Sequence, residues 1–467
     1  MSQRIFTLAD QIAFAELSGD NNPVHIDPVA ARRSLFGQPI VHGIHALMWA
    51  LDQWLEGQSV PGQFGQLRAV FLKQIGLNQS VRCNLVQQPG NRVRIDLLKA
   101  DEIAVRISFE WLAGLSPRHA EVSPLLPVQQ PPDCMSPEAI RSSDGLLDLY
   151  LHSKTAHHLF PNLFRLLSQV QSAALLGMTR LVGVKCPGLH SIFSELSLTA
   201  ADTGDLKKIK YAVSEFDERG LVMMSVAAPG LDGTIRAFIR PQPQMQTSFL
   251  DLKKLVSNGA FAGQRALVVG GSRGLGEVAA KLLAAGGAQV QLTYRLGKSD
   301  AQKIADEIIA GGGQASLCEL DVLKPPKEWL GQSTPTHLYY FASPHISKSA
   351  NFFSSTLFNT FCSYYVNAFA EIVEPLQKLG LQNVFYPSTV FIDQLPANFL
   401  EYALAKNAGE VLCQALGKKY PEMYFHCPRL PKMATDQTVS LEPVQSPDPA
   451  PIILTALQTF RDSVVPK

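Results

Sequence analysis

Two groups of residues in this chain have the types and spacing that chemistry needs. The first lies in SGDNNPVHID, Ser18 to Asp27. Asp20 and His25 stand on either side of Pro23. FGQPIVHG follows and ends with Gly43 at the start of an apolar helical run. Residues of this kind can simply form turns and caps, because Asx side chains bond nearby backbone amides. Together they also supply a carboxylate, an imidazole and a helix-opening N–H with partial positive charge. Such a set can hold a water molecule and stabilise an oxyanion. The second group is RALVVGGSRGLGEVAAKLLAAGGAQVQLTYR, from Arg265. An apolar strand, a glycine-rich turn, an amphipathic helix and a second strand follow one another. Gly270, Gly274 and Gly276 fall where a backbone must approach a pyrophosphate at a helix N-terminus.

These residues need elements to position them. Two proline-rich breaks, Ser116 to Glu138 and Arg240 to Gln246, divide the chain into blocks at 1–120, 140–245 and 250–467. In the first block IVHGIHALMWALDQWLEG has a helical pattern. QLRAVFLKQI, SVRCNLVQQPG, RVRIDLLKADE and IAVRISFEWLAG then read as strands. The second block repeats the order with FPNLFRLLSQVQSAALLGMTRLVG and four strand-like runs. One long helix against an antiparallel sheet, twice over, fits an α+β double hot dog. The third block has the βαβ pattern of an α/β Rossmann-like, doubly wound parallel sheet.

FAELSGDNNPVHID, FGQPIVHG and LRAVFLKQI together resemble the MaoC-like (R)-specific enoyl-CoA hydratases and dehydratases over about the first 115 residues. The resemblance implies that Asp20 and His25 hold one water over the C2=C3 bond of an acyl thioester. It assigns the Gly43 amide to the thioester carbonyl. The second block lacks GDxNPxH and is expected to be a non-catalytic partner that helps form the acyl tunnel. His190 in KCPGLHSIFSELSLT is read as structural, with a catalytic role as the alternative.

The third block resembles the short-chain dehydrogenase/reductases over about 260–440, through its glycine spacing, EYALAKNAGEVL and FYPSTV. The resemblance makes Tyr402 the proton donor, Lys406 its partner four residues on, Ser388 the carbonyl-binding hydroxyl and Asn367 a relay residue. An ammonium beside Tyr402 is expected to lower its pKa from about 10. Cofactor contacts are expected from Gly270, Ser272, Arg273, Gly274, Leu275 and Gly276, from Asp321 and Val322 in CELDV, and from Ala342 in YYFASP. YYFASP and CPRLPKMATDQT depart from the family's NNAG and PG segments. NAD binders carry an acid at the end of the second strand. Here LTYRLGKS has none, and Arg295 joins Arg273 to suit a 2′-phosphate, so NADPH is the expected cofactor.

Composition narrows the field. Lys+Arg 41 against Asp+Glu 40 gives no basic field for nucleic acid or an anionic membrane. MSQRIFTLADQ has no signal-peptide pattern, and no apolar run of about 18 residues occurs. Seven scattered cysteines without a CxxC pair point to neither disulfides nor a metal site, and a cytoplasmic compartment is expected. The two resemblances act on the same carbon. They imply reduction of a 3-oxoacyl thioester followed by dehydration of the (3R)-hydroxyacyl product, as in fatty-acid or polyketide building. The cargo would ride on acyl carrier protein or CoA, in a homodimer or homotetramer. The alternative is hydration followed by NAD-dependent oxidation, as in β-oxidation.

Overall fold

The computed structural model describes residues 2–87, 90–114, 122–203, 206–325, 334–349, 352–440 and 446–464. The chain forms two compact units, Met1–Gln242 and Pro243–Lys467.

The first unit is built on one ten-stranded antiparallel sheet. Its strands are β1 Gln3–Ile5, β2 Gly62–Phe71, β3 Ser80–Gln87, β4 Arg92–Lys99, β5 Glu102–Ala113, β6 Asp144–Leu147, β7 Ser191–Ala200, β8 Ile209–Phe216, β9 Leu221–Ala228 and β10 Leu231–Ile239. The order is β1-β3-β4-β5-β2-β7-β10-β9-β8-β6. Read outward from the β2–β7 seam, both halves run second, fifth, fourth, third, first strand of their own five. The weak internal similarity in the sequence is therefore a structural repeat. The seam is antiparallel, from Gln66↔Thr199 to Val70↔Glu195.

Three helices of this unit matter for the site. Helix α1 is Leu8–Ser18, α2 is Gly43–Leu55 and α3 is Gln169–Arg180. A capping box at Thr7 and Asp10 starts α1, and Gly19 ends it at φ +76, a conformation that favours glycine. Helices α2 and α3 bury their apolar side chains in one core with the sheet. The long helix expected over residues 160–183 is split: Pro161–Leu166 comes first, then α3, then a π-helical turn at Leu181–Lys185. Pro161 cannot donate a backbone hydrogen bond and starts its own short helix. Asp52 of α2 caps that helix, accepting the N–H groups of Asn162 at 2.8 Å and Leu163 at 2.9 Å.

Part of the first proline-rich break, 115–121, lies outside the described residues. Beyond it the chain is bonded to the second half of the unit. The Asp133 N–H donates to the Val184 carbonyl at 2.8 Å, and the Leu189 N–H to the Asp133 carbonyl at 2.9 Å.

The second unit has a six-stranded parallel sheet. Its strands are β11 Arg265–Val269, β12 Gln289–Tyr294, β13 Gln314–Glu319, β14 His337–Tyr340, β15 Asn383–Phe385 and β17 Tyr424–His426. The order β13-β12-β11-β14-β15-β17 is a doubly wound 3-2-1-4-5-6 arrangement whose switch point falls between β11 and β14. A short parallel pair, β16 Ser388–Thr389 and β18 Arg429–Leu430, extends past the strand ends. Helix α4, Gly274–Ala285, follows β11, and α5, Leu400–Lys419, carries the YxxxK pattern.

Candidate active sites

In the first unit the polar decapeptide divides its labour. Ser18 bonds back to the Phe14 carbonyl, and Asp27 caps the helix Pro28–Ala31. Asp20, Asn22 and His25 converge instead. Asp20 and Asn22 are buried. Donor atoms of Asp20, His25 and His42 all lie within 4.8 Å of one another.

His25 is oriented by its Nδ1, 2.8 Å from the Ile40 carbonyl. A carbonyl can only accept, so Nδ1 carries the proton and Nε2 of the neutral ring carries the lone pair. His42 stacks on His25 with centroids 3.8 Å apart. It is fixed at Nε2 by the Asp20 carbonyl at 2.9 Å, and at Nδ1 by Gln11 Oε1 at 2.9 Å. His42 is the N-cap of α2, so the next residue, Gly43, opens that helix with an N–H that has no intrahelical partner. A side chain at Gly43 would meet the Phe71 ring at 2.9 Å.

The second half of the unit closes over the acid. Thr179 Oγ1 donates to Asp20 Oδ2 at 2.6 Å. Gly183 lies so near that an added Cβ would stand 2.1 Å from Asp20 Oδ1. Asn22 Nδ2 donates to the carbonyls of Gly183 at 2.9 Å, Leu189 at 3.2 Å and Gly188 at 3.3 Å. Leu189 also accepts from Arg240, a buried arginine whose Nε has no partner. His190 is half-buried, and its Nδ1 likewise has none.

Burial sets opposite biases on the pair. It pushes the Asp20 carboxyl up to about 7, against the Thr179 and Asn22 hydrogen bonds that favour the anion. It pulls His25 down to about 4, with the Arg240 charge acting in the same direction. A neutral base therefore faces an acid that can hold its proton near neutral pH.

In the second unit the expected cofactor residues gather at the C-terminal ends of β11 to β14. Gly270 has φ +80, and a Cβ there would stand 2.8 Å from the Ala342 nitrogen. At Gly276 a Cβ would stand 2.3 Å from the Gly270 carbonyl oxygen. Ser272 is buried, and Leu275 and Arg273 are partly so, around the start of α4. Asp321 and Val322 follow β13. Both arginines face carboxylates loosely: Arg295 is 3.9 Å from Asp321 and Arg273 is 3.7 Å from Asp436. Asp436 places the divergent CPRLPKMATDQT stretch beside the glycine turn.

Tyr402 and Lys406 share one side of α5. The Tyr402 ring packs edge-on to Phe361 and Tyr365. Lys406 Nζ donates to the Pro387 carbonyl at 2.7 Å and lies over the Tyr365 ring at 4.1 Å. Burial lowers Lys406 to about 7 and raises Tyr402 to about 12, opposed by a hydrogen bond from Thr389. The expected lowering of the Tyr402 pKa is thus not seen: burial outweighs it, and the ammonium is directed at Pro387 and Tyr365.

Two further expectations meet different surroundings. The Ser388 hydroxyl donates to Glu410, which Arg429 clamps at 2.7 Å, while its neighbour Thr389 contacts Tyr402. Asn367 is exposed at the end of a π-helical turn. Sequence reasoning passed over His42, Asn22, Thr179, Thr389 and Gln11. His42 had a signal, since it precedes Gly43 in FGQPIVHG. Thr179 had none, being 159 positions from Asp20.

Known proteins resemble this chain in two separate stretches. The MaoC like domain family matches residues 2–101, and the short chain dehydrogenase family matches residues 264–328. The peroxisomal multifunctional enzyme type 2 of Drosophila melanogaster is 35% identical over 103 residues, 22% of this chain and 15% of that protein. The (R)-specific enoyl-CoA hydratase of Aeromonas caviae is 47% identical over 58 residues, 12% of this chain and 42% of that protein. A hydroxynaphthalene reductase-like protein of Metarhizium guizhouense is 38% identical over 68 residues, 15% of this chain and 26% of that protein. The matched segments thus span less than half the length of these relatives. Among solved structures, a short chain dehydrogenase from Shigella flexneri is 21% identical with a TM-score of 0.40, over 44% of this chain and 88% of that one. The chain therefore joins an N-terminal MaoC-like domain to a C-terminal short-chain dehydrogenase domain.

Proposed function

We propose that the chain is a bifunctional enzyme acting on the β-carbon of acyl thioesters, with a hydratase/dehydratase site in the first unit and a 3-oxoacyl reductase site in the second. The observation that carries the reading is the Asp20–His25 pair, a buried acid beside a half-buried imidazole, biased in opposite directions. For hydration, His25 Nε2 takes a proton from water as its oxygen bonds C3. Protonated Asp20 gives a proton to C2, and the Gly43 N–H meets the charge gathering on the thioester oxygen. Dehydration is the reverse.

In the second unit the close-packed glycine turn fits a dinucleotide, because the space beside Gly270 and Gly276 is too tight for any side chain. Gly270, Ser272, Arg273, Gly274, Leu275, Gly276, Asp321, Val322 and Ala342 would hold it, and when bound it supplies a hydride. Tyr402 protonates the carbonyl oxygen, and Thr389 orients that hydroxyl. Lys406 supplies positive charge as phenolate character develops. Arg295 and Arg273, with no acid at the end of β12, favour NADPH and the reductive direction. The similarity to a peroxisomal multifunctional enzyme over 103 residues favours the opposite direction as a second reading. Cofactor preference separates them: reduction requires a higher kcat/KM with NADPH than with NADH.

The catalytic test is two substitutions. Asp20→Asn should abolish hydration of crotonyl-CoA and leave NADPH-dependent reduction of acetoacetyl-CoA intact. Tyr402→Phe should do the converse. Wild-type rates in both variants would overturn both assignments.

A further inference from the structure

We propose that Thr179, from the half of the first unit that lacks the GDxNPxH motif, is a positioning residue for the Asp20 carboxylate. This rests on Asp20 being the hydratase acid. An aspartate carboxylate turns easily about its last torsion, so a site that needs a directed oxygen must hold it from outside. Helix hydroxyls usually bond the carbonyl four residues earlier. Those of Ser18, Thr360, Ser363, Thr455, Thr459 and Ser463 all do so. Thr179 does not. It is buried on α3, and its hydroxyl reaches Asp20 Oδ2 at 2.6 Å.

The other carboxylate oxygen is confined as well. Asp20 Oδ1 lies against the Gly183 Cα, in the space a side chain would need, and accepts the Asn22 N–H at 3.3 Å. The π-helical turn at Leu181–Lys185 brings Gly183 to that place directly after α3. The Asn22 side chain locks the same turn through the Gly183 carbonyl. The second half thus bonds one carboxylate oxygen through Thr179 and confines the other against Gly183. The titratable and charged groups around the carboxylate are the rings of His25 and His42. Arg180 packs its Cδ on Gly19 and turns its guanidinium to the Tyr150 ring, and Arg240 is held by the Leu189 carbonyl. Among the groups bonded to the carboxylate, Thr179 is the side-chain donor, and it favours the anion over the acid.

The test uses the full chain and hydration of crotonyl-CoA across pH 5 to 10. Thr179→Val keeps the shape and removes the donor. We expect kcat to fall roughly ten- to a hundredfold, as for a misplaced catalytic group, with KM held within about twofold. The alkaline limb of kcat/KM should move to higher pH, because an acid that has lost a donor to its anion keeps its proton longer. Thr179→Ser keeps the hydroxyl and should restore both the rate and the limb. Thr179→Ala serves as a second donor-free variant should valine fail to fold. An unmoved limb in the donor-free variants, with Asp20→Asn inactive, would overturn the role of Thr179 and leave the acid assignment standing. Hydration by Asp20→Asn at the wild-type rate would overturn the acid assignment itself.

Discussion

The raised pKa of Asp20 makes a prediction about stability that needs no substrate. Burial lifts this carboxyl from an ordinary 3.8 to about 7. The native unit therefore keeps a proton that the unfolded chain releases between those values. Stability falls as pH rises from about 4 to about 7 and levels off above, since the native state binds more protons throughout that window. The gap is about three pH units at about 1.4 kcal/mol each, a ceiling of about 4 kcal/mol. Between pH 5 and pH 9 the share is about 3 kcal/mol. Asp20→Asn removes the titration and keeps an acceptor for Thr179. The site histidines act with the opposite sign: His25, lowered to about 4, weakens the fold as pH drops below its ordinary 6.5. They are common to both proteins and cancel in the difference. Urea unfolding followed by tryptophan fluorescence reports this unit, because Trp49, Trp54 and Trp111 lie in it, three of the four in the chain. The variant should gain about 3 kcal/mol over wild type on going from pH 5 to pH 9. A difference that does not change with pH would refute the claim that Asp20 is buried with a raised pKa.

Other substitutions test the remaining contacts. Gly183→Ala puts a methyl 2.1 Å from Asp20 Oδ1, and should cost about 1–3 kcal/mol of stability together with most of the hydration rate. Thr389→Val should lower the kcat of reduction about tenfold or more by releasing the Tyr402 hydroxyl. Ser388→Ala should chiefly lower thermal stability, because it removes one of the two donors to Oε1 of the buried Glu410 carboxylate and leaves Arg429 alone there. If instead Ser388→Ala stops reduction and Thr389→Val does not, the assignment read from the sequence is the correct one. Arg295→Ala should raise KM for NADPH several-fold and leave KM for NADH nearly unchanged. Equal effects on both cofactors would remove Arg295 from 2′-phosphate recognition.

What could be read from the sequence followed period and punctuation. Four of the five strands in each half of the first unit were legible because apolar residues cluster or alternate along them, whereas the short edge strands β1 and β6 carry no such pattern. The doubly wound sheet was legible because its first strand, glycine turn and helix are contiguous. Asp20 and His25 were visible for the same reason, lying five residues apart in one rigid loop. Contacts that depend on tertiary packing were not visible. Thr179 looks like any helix threonine until the β2–β7 seam brings α3 to the first half's loop. Ser388 and Thr389 are adjacent, and alternation along β16 sends their side chains to different partners. The chain pattern cannot show which of the two faces Tyr402. The expected lowering of the Tyr402 pKa considered the ammonium alone, whereas burial among Phe361, Tyr365 and Phe391 is the larger influence.

The account turns on two sites serving one cargo. The most direct measurement is mass analysis of acetoacetyl-CoA incubated with NADPH and the full chain. It should show 3-hydroxybutyryl-CoA and crotonyl-CoA forming as NADPH is consumed. The Asp20→Asn chain should stop at the hydroxy product, and the Tyr402→Phe chain should leave the substrate untouched. NADPH oxidation without any crotonyl-CoA from the wild-type chain, or no oxidation at all, would contradict it.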